Sequence, residues 1–521
     1  MKVTSLGHSG LKIETKDITL LVDPWLSPEG AFLASWFQYP DNHHVMTSSL
    51  LTPTAVAISH EHLDHIDPWF LAQLPKATPI IIPKYSSPVL MQKIIAVGLN
   101  NISEVPQWEV INLGEGTSLF FVSEESPMNH DSAMAIQGDG EVLLNPNDAR
   151  LSITQLRSIK NKVGGSIDLL TLQAAGASWY PICYDYPAAR QIELSRTKRI
   201  AKLNYVERVI SAIEPSIVVP FAGPPCFLDP ELSWANNEIT DGIFPDQQQV
   251  IDWLGTKGIS NTTLLLPGEA FDLTQKKKQD DPMWQDFSFS DHEAYIQQYA
   301  QKRAPYVAAL KARYPEPEAS LWHDFQAYFQ RLLSMSPYFN TNIGMRVGFE
   351  IQGTGGGQWA VDFRPGMEGV FDEMGECSYG YRFHARWLPP LLSGELPWED
   401  FFLSLRFQAW REPDIYNDHL LGLLKFACKS SLKAVEEYET TVDSQEQITI
   451  HAQGKAYRIQ RHCPHAGVDL EEAGEVLPGG TLRCLGHHYE FDLETGQCTT
   501  GKCKPLKSKR IKSLREGSAI S

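Results

Sequence analysis

Two short clusters near the C-terminus carry the most specific chemistry of this 521-residue chain. Cys463-Pro464-His465 comes first, eighteen residues intervene, and Cys484-Leu485-Gly486-His487 follows. Two cysteines and two histidines in this CxH and CxxH spacing hold a two-iron, two-sulfide cluster, with both thiolates on one iron and both imidazoles on the other. Neutral imidazoles in place of anionic thiolates raise the potential above that of an all-cysteine ferredoxin. A chain with such a centre moves single electrons. The competing reading is a tetrahedral zinc site, which accepts the same ligand types. Zinc knuckles more often use CxxC pairs, and that favours the cluster. His462 and His488 flank the ligands and are expected to be bystanders.

The surroundings of these four residues resemble the Rieske family over residues 431–521. Gly467 and Gly486 allow tight turns whose N–H groups can face cluster sulfurs. Tyr489 to Leu493 alternates like a strand, Thr495-Gly496 turns the chain, and Pro505-Leu506 precedes a last strand. Respiratory Rieske proteins carry an additional cysteine in each ligand loop, forming a disulfide. Here Cys498 and Cys503 lie outside those loops, so the resemblance implies the oxygenase or ferredoxin kind.

A second cluster lies near the other end. An apolar strand expected at 54–59 runs into His60-Glu61-His62-Leu63-Asp64-His65, four possible metal ligands within six residues. This HxHxDH turn resembles the metallo-β-lactamase superfamily, and the resemblance runs from residue 1 to about 270. Gly7-His8-Ser9-Gly10 and the stretch Leu20 to Leu26 match its sugar-lactonase-like branch. The resemblance implies His130 as a third histidine and Asp148 as a bridging carboxylate. His60, His62 and His130 would hold one metal, while Asp64, His65 and Asp148 would hold a second or tune the first. Hydrolases of this fold usually add a histidine after a late strand. Here Ile217 to Pro220 runs into Phe221-Ala222-Gly223-Pro224 without one. A two-zinc hydrolase needs both metals for its hydroxide. Histidines and carboxylates with open positions also suit non-haem iron and O2, and a one-electron donor in the same chain favours iron over zinc.

The combination resembles the CMP-N-acetylneuraminate hydroxylase family. Shared features are His130-Asp131-Ser132, Asn147-Asp148, Ser178-Trp179-Tyr180-Pro181 and Pro220 to Pro224. The animal enzyme has its Rieske module first, so the resemblance implies oxygenase chemistry more than a sialic-acid substrate. On this reading a separate NAD(P)H-dependent reductase or ferredoxin supplies electrons, because no nucleotide-binding fingerprint is present. One iron or two, O2 and a small-molecule substrate complete the reaction. The alternative is a metal-dependent hydrolase with a redox-sensing Rieske module. A third reading, a non-catalytic electron carrier, is disfavoured by the intact HxHxDH turn.

These residues need a multi-domain scaffold of α/β and all-β parts. An αββα metallo-β-lactamase sandwich is expected over 1–273, a helical and sterol-carrier-like α+β region over 283–430, and a C-terminal β Rieske domain over 431–521. Strands are expected at 19–22, 56–59, 80–82, 119–122, 141–144 and 217–219. The charged stretch 275–282 reads as a linker. Aromatic residues Tyr295, Tyr299, Trp322, Phe325 and Tyr328 recur at helical steps and read as packing. Residues 345–363 read as a hairpin around Gly353 to Gly357, and the acidic segment 434–447 as a lead-in to the Rieske module. Tyr180, Tyr184 and Tyr186 read either as pocket lining or as an aromatic surface loop.

Composition bounds the rest. A net charge of −18 argues against a nucleic-acid or anionic-membrane surface. No apolar run reaches the length of a membrane span, and no signal-peptide core follows Met1. A reducing cytoplasm is expected, with Cys183, Cys226, Cys377 and Cys428 as thiols. Lys502, Lys504, Lys507, Lys509, Arg510 and Lys512 form a basic cluster that either docks an acidic electron donor or coats a solvated strand. A homo-oligomer is expected on the premise that one chain does not fold its cluster over its own iron site.

Overall fold

The structure is a computed structural model and describes residues 1–511, apart from 126, 177, 442–445, 466 and 487 and the side chains of 441 and 472. His487 and Lys512 therefore lie outside the described residues.

Two sheets face each other in the N-terminal half. The first has eight strands, in the order Lys277–Gln279, Ala270–Asp272, Lys2–Gly7, Gly10–Glu14, Thr19–Val22, Ala55–Ala57, Ile80–Pro83 and Ile102–Val105. The second has six, from Ile217–Phe221 through Leu169–Gln173, Glu141–Asn145, Ser132–Gly138 and Ser118–Ser123 to Ile111–Asn112. Alternate residues of both sheets meet between them, among them Val3, Ile13, Leu20 and Val22 against Phe121, Met134, Ile136 and Leu169. The opposite faces are apolar too. Val56 and Ile80 pack under Phe70 and Ile94, and Leu144 and Leu170 under Leu156, Ile159 and Val206. Parallel strands apolar on both faces need helices on both sides, and that requirement makes the αββα sandwich.

The strand expected at 56–59 stops at Ala57. The Ser59 amide turns away to the Asp23 carboxylate at 2.8 Å, and the chain leaves the sheet into the histidine turn. The charged stretch expected as a linker is instead the edge strand Lys277–Gln279, paired antiparallel with Ala270–Asp272. Its lysines are what an exposed edge needs to discourage further pairing.

The central region is α+β. Five strands run in the order Gly369–Phe371, Gly357–Asp362, Arg346–Gln352, Tyr379–His384 and Phe407–Arg411. The helix Trp322–Leu333 buries Phe325, Tyr328 and Phe329 against Phe349 and Trp398, so the aromatic stripe is packing. This core continues into the loop Trp25 to Tyr39 of the sandwich. Tyr180, Tyr184 and Tyr186 pack as a group around Arg411 and Asp414. The Arg411 guanidinium lies 4.5 Å over Tyr180 and 4.6 Å over Tyr184, and Tyr186 donates to Asp414 at 2.6 Å.

The acidic lead-in is largely the helix Lys429–Thr441, which buries Leu432 and Val435, and residues 442–445 lie outside the described residues. Two three-stranded sheets follow. One joins Gln447–Ala452, Lys455–Gln460 and Ser508–Ile511, the other Gly474–Leu477, Thr481–Cys484 and Glu490–Asp492. Within the basic cluster, Lys502 Nζ caps the Ile343 carbonyl at 2.9 Å and Lys504 bonds the Glu439 carbonyl, while Lys509 and Arg510 are exposed.

Asp67 locks the segment that follows the histidine turn. Its Oδ2 accepts from the Leu26 and Ser27 amides at 2.8 and 2.7 Å, and its Oδ1 from those of Trp69 and Phe70 at 3.0 and 3.2 Å. Asp67→Ala removes a helix cap and strands two buried amides, so it should cost about 2–4 kcal/mol. A lowered urea midpoint, partly recovered in Asp67→Asn, checks this; an unchanged midpoint contradicts it.

Candidate metal centres

The histidine turn is built on one carboxylate. Asp23 sits at the end of the Thr19–Val22 strand and is fully buried. Its Oδ2 accepts from Ser59 Oγ at 2.6 Å, faces His65 Nδ1 at 3.0 Å and accepts from Asn147 Nδ2. Holding His65 by Nδ1 points Nε2 the other way, to 3.3 Å from Asp148 Oδ1 and 3.6 Å from Asp64 Oδ2. Ser59 Oγ orients His60 by its Nδ1 at 2.8 Å, and His60 Nε2 lies 2.8 Å from His62 Nδ1.

Three groups of donors converge within metal-binding reach: His8 with Asp64 and His65, His60 with His65 and Asp148, and His60 with His62 and Asp131. Five of the six residues expected at this centre, His60, His62, Asp64, His65 and Asp148, therefore come together. The sixth, His130, belongs to none of these groups. It stacks on Tyr85 at 4.9 Å, and its Nδ1 lies 3.0 Å from Glu61 Oε1.

His8 was quoted in the sequence only for its glycine-flanked motif, and the structure gives it a position. Its Nε2 lies 2.9 Å from Asp64 Oδ2, and the Ala222 amide donates to its carbonyl at 3.0 Å. The corner that lacks the late histidine thus abuts His8. Asp131 was visible beside His130. Glu399, in contrast, carried no signal. It comes from the helix Trp398–Leu403 of the central region, lies 3.3 Å from His62 Nε2 and accepts from Lys425 Nζ at 2.9 Å.

Burial sets the electrostatics. It opposes charge on His65, but the carboxylates of Asp148 and Asp64 overcome it and raise the imidazole well above its usual pKa. His60 goes the other way, through burial and its neighbours His65 and His62. Burial pushes the Asp131 carboxyl up to about 7. Such opposed shifts mark a site crowded with charge. Among the described residues, the buried Nε2 atoms of His62, His65 and His130 make no well-aligned hydrogen bond, although carboxylates lie 3.3 Å from the first two. Orphaned imidazole nitrogens beside carboxylates fit a bound cation, which would satisfy them. The donor set holds nitrogen and oxygen without thiolate, which suits iron.

The second centre sits in the Rieske-like sheets. Cys463 and Cys484 are buried, and the Cys484 amide donates to the Tyr489 carbonyl at 2.7 Å. His465 Nε2 lies 2.9 Å from Asp418 Oδ2, and its ring packs 4.3 Å from Tyr489, whose hydroxyl also donates to Asp418. With Nε2 engaged, Nδ1 is the nitrogen that would face a cluster, so the residues fit one. His487 is outside the described residues. None of the eight cysteines is in a disulfide.

One helix spans the interval between the centres. Asp418–Phe426 begins at the carboxylate that holds His465 and ends with Lys425 on Glu399 and Phe426 at 5.0 Å from His130. Nine helical residues cover about 13 Å. The premise for a shared site between subunits is therefore removed, because one chain brings both centres together. Among the described residues no helix is long and apolar enough to cross a membrane.

Comparison with known proteins agrees with this layout. Residues 2–118 match the β-lactamase superfamily domain and residues 424–510 the Rieske 2Fe-2S domain. The protein is a Rieske protein built onto a β-lactamase fold. It belongs to the family of Rieske 2Fe-2S iron-sulfur proteins represented in Mycolicibacterium smegmatis, whose member is 32% identical over 523 residues, 96% of this chain and 98% of that one. Cytidine monophosphate-N-acetylneuraminic acid hydroxylase of Danio rerio is 24% identical over 230 residues, 42% of this chain and 38% of that one. The solved structure of CmlA, a diiron β-hydroxylase from Streptomyces venezuelae, is 16% identical and covers 54% of each chain at a TM-score of 0.35, and nothing further follows from so distant a likeness.

Glu399 separates two cationic groups inside the protein. In Glu399→Gln, Lys425 loses its carboxylate while staying buried. A loss of about 3 kcal/mol is expected in urea unfolding, against less than about 1 kcal/mol if the pair is merely a surface contact.

Proposed function

We propose that this protein is a non-haem iron oxygenase that hydroxylates or N-oxygenates a small molecule, with electrons entering through its Rieske domain from a separate NAD(P)H-dependent reductase or ferredoxin. The observation that carries this reading is the helix Asp418–Phe426, which touches the His465 side of one centre and the His62 and His130 side of the other. A hydrolase with a redox sensor has no need of so direct a connection. When bound, the cluster supplies single electrons and the iron supplies O2 activation.

The roles of the side chains follow from their surroundings. His60 and His62, which converge with Asp131, are ligands of one iron, and His130 is its third histidine although its ring stands outside the converging donor groups. Asp64, His65 and Asp148 serve a second or tune the first, and His8 takes the place of the absent late histidine, since it lies beside both Asp64 and the corner at Ala222. Asp23 and Glu61 orient His65 and His130. Asp418 fixes the ring of His465 by accepting its outer N–H. Cys463, His465, Cys484 and His487 hold the cluster. The similarity to the sialic-acid hydroxylases supports the reaction type.

Two variants test this. His60→Ala should lose non-cluster iron by metal analysis and Mössbauer spectroscopy while keeping a Rieske EPR signal. Loss of both together would mean that the turn only supports the fold. Asp418→Asn should keep both metals, flatten the pH dependence of the cluster's midpoint potential, and slow oxidation of the reduced cluster by O2 at least tenfold. Unchanged reoxidation, or substrate turnover that continues without O2, would reject the oxygenase reading.

A further inference from the structure

Two thiols that neither centre uses face one another across a short loop of the Rieske domain. Cys498 and Cys503 share a hydrogen bond, with Cys503 donating to the Cys498 sulfur. The Gly501 amide donates to the same sulfur at 3.3 Å. Both cysteines are partly exposed, and both pack against the apolar cluster that contains Cys463 and Cys484. The other cysteines outside the ligand set are engaged differently. Cys183 and Cys226 are buried, Cys377 donates to the Met374 carbonyl at 3.2 Å, and Cys428 bonds Ser430 Oγ at 3.1 Å.

The loop between the two sulfurs leans on the cluster side of the domain. Tyr416 holds its middle, donating from its amide to the Thr500 carbonyl at 3.0 Å and accepting from the Lys502 amide at 2.7 Å. Glu490 holds its start. The Glu490 amide donates to Thr500 Oγ1 at 2.9 Å, and its carbonyl accepts from the Thr499 amide at 2.8 Å. Gly501 lies against the Tyr489 ring so closely that a Cβ there would sit 2.5 Å from Cζ. Tyr489 packs on His465 and donates to Asp418, the carboxylate that orients His465. A shift of Gly501 therefore reaches a cluster ligand through one side chain.

The pair is chemically asymmetric. The bond from Cys503 pulls the Cys498 thiol down to about 7 against the effect of burial, helped by the Thr500 and Gly501 N–H groups. The same bond, together with burial, pushes the Cys503 thiol up. Cys498 is thus the nucleophile, and Cys503 stands ready to resolve what forms on it.

We propose that Cys498 and Cys503 are an oxidisable dithiol that reacts with hydrogen peroxide and, once closed to a disulfide, alters the surroundings of His465. The Cys498 sulfur attacks one peroxide oxygen and the O–O bond breaks. The departing hydroxide takes up the proton Cys498 gave away and becomes water, leaving a sulfenic acid. The Cys503 sulfur then displaces the remaining oxygen. An S–S bond forms, the S–O bond breaks, and the second oxygen leaves as water with the Cys503 proton. The two thiols lose two electrons, and one peroxide is reduced to two waters. Closure removes the thiol hydrogen bond and re-aims the sulfur that accepts from Gly501. Gly501 then moves against Tyr489, and the hydrogen bonding around His465 follows. This holds whatever reaction the iron site performs.

The test needs no turnover. Full-length protein with its metals in place and oxidised is treated anaerobically with one equivalent of hydrogen peroxide per chain, then alkylated in denaturant and mapped by mass spectrometry. The Cys498–Cys503 disulfide should form at least ten times faster than the Cys377 thiol is lost. The visible circular dichroism of the cluster should shift at the same rate and return on adding dithiothreitol. Cys503→Ser should stop at a Cys498 sulfenic acid that dimedone traps. Cys498→Ser should form neither product and keep the original dichroism. Tyr489→Phe should close the disulfide at the same rate with half the dichroism response or less, because its link to Asp418 is cut. Oxidation no faster than at Cys377, or as fast in Cys498→Ser, would overturn the site. A disulfide that leaves the dichroism unchanged would overturn its hold on His465.

Discussion

A single buried carboxylate organises the first centre. Asp23 has no solvent contact and spends its acceptors on Ser59, His65 and Asn147. These three come from two different sheets. Through Ser59 the carboxylate decides where the strand Ala55–Ala57 ends and the histidine turn begins. Through Asn147 it draws in the loop that carries Asp148. Through His65 it chooses which ring nitrogen faces inward. An uncompensated charge at that depth would be expensive, so the site is stable only when all three donors are present. Local backbone geometry agrees: Asp23 and Asn147 both adopt a left-handed conformation, φ 42° and 57°, which turns each side chain toward the other.

The charge around that anchor is shared between domains. Glu61 faces His130, Glu399 lies between His62 and Lys425, and Lys93 reaches Asp400 at 3.3 Å. Acids and bases alternate, so each is compensated by a neighbour from another element. The central region supplies Glu399, Asp400 and Lys425. It is thus part of the electrostatic wall of the centre rather than a spacer between two working modules.

What the sequence disclosed and what it withheld divide along physical lines. The HxHxDH turn and the CxH and CxxH loops are local, so their spacing alone revealed them. The apolar runs at 19–22, 80–82 and 217–219 were readable for the same reason. His8 and Glu399 act through contacts made across 56 and 337 residues of chain, Asp64 to His8 and Glu399 to His62, and no periodicity encodes such distances. The edge strand Lys277–Gln279 was misread because its lysines imitate a linker, although an unprotected sheet edge calls for the same residues. The helix Lys429–Thr441 was legible only as an acidic lead-in, because its buried face contributes only a few residues, Leu432 and Val435 among them.

The apolar cluster beneath the second sheet does not stop at the lactamase-like fold. Leu156, Ile159, Val206 and Val209 belong to the same cluster as Cys463, Leu470, Leu482, Cys484 and Phe491. A carrier that shuttles between partners must part from each of them, and it keeps a wettable face for the purpose. Here separation would open an oily seam and break the bonds of Asn204 to Glu475 and Thr154 to Asp469. The module is welded rather than tethered. The spacing between the two candidate centres is then a fixed property of the fold, set by side-chain packing rather than by the length of a tether.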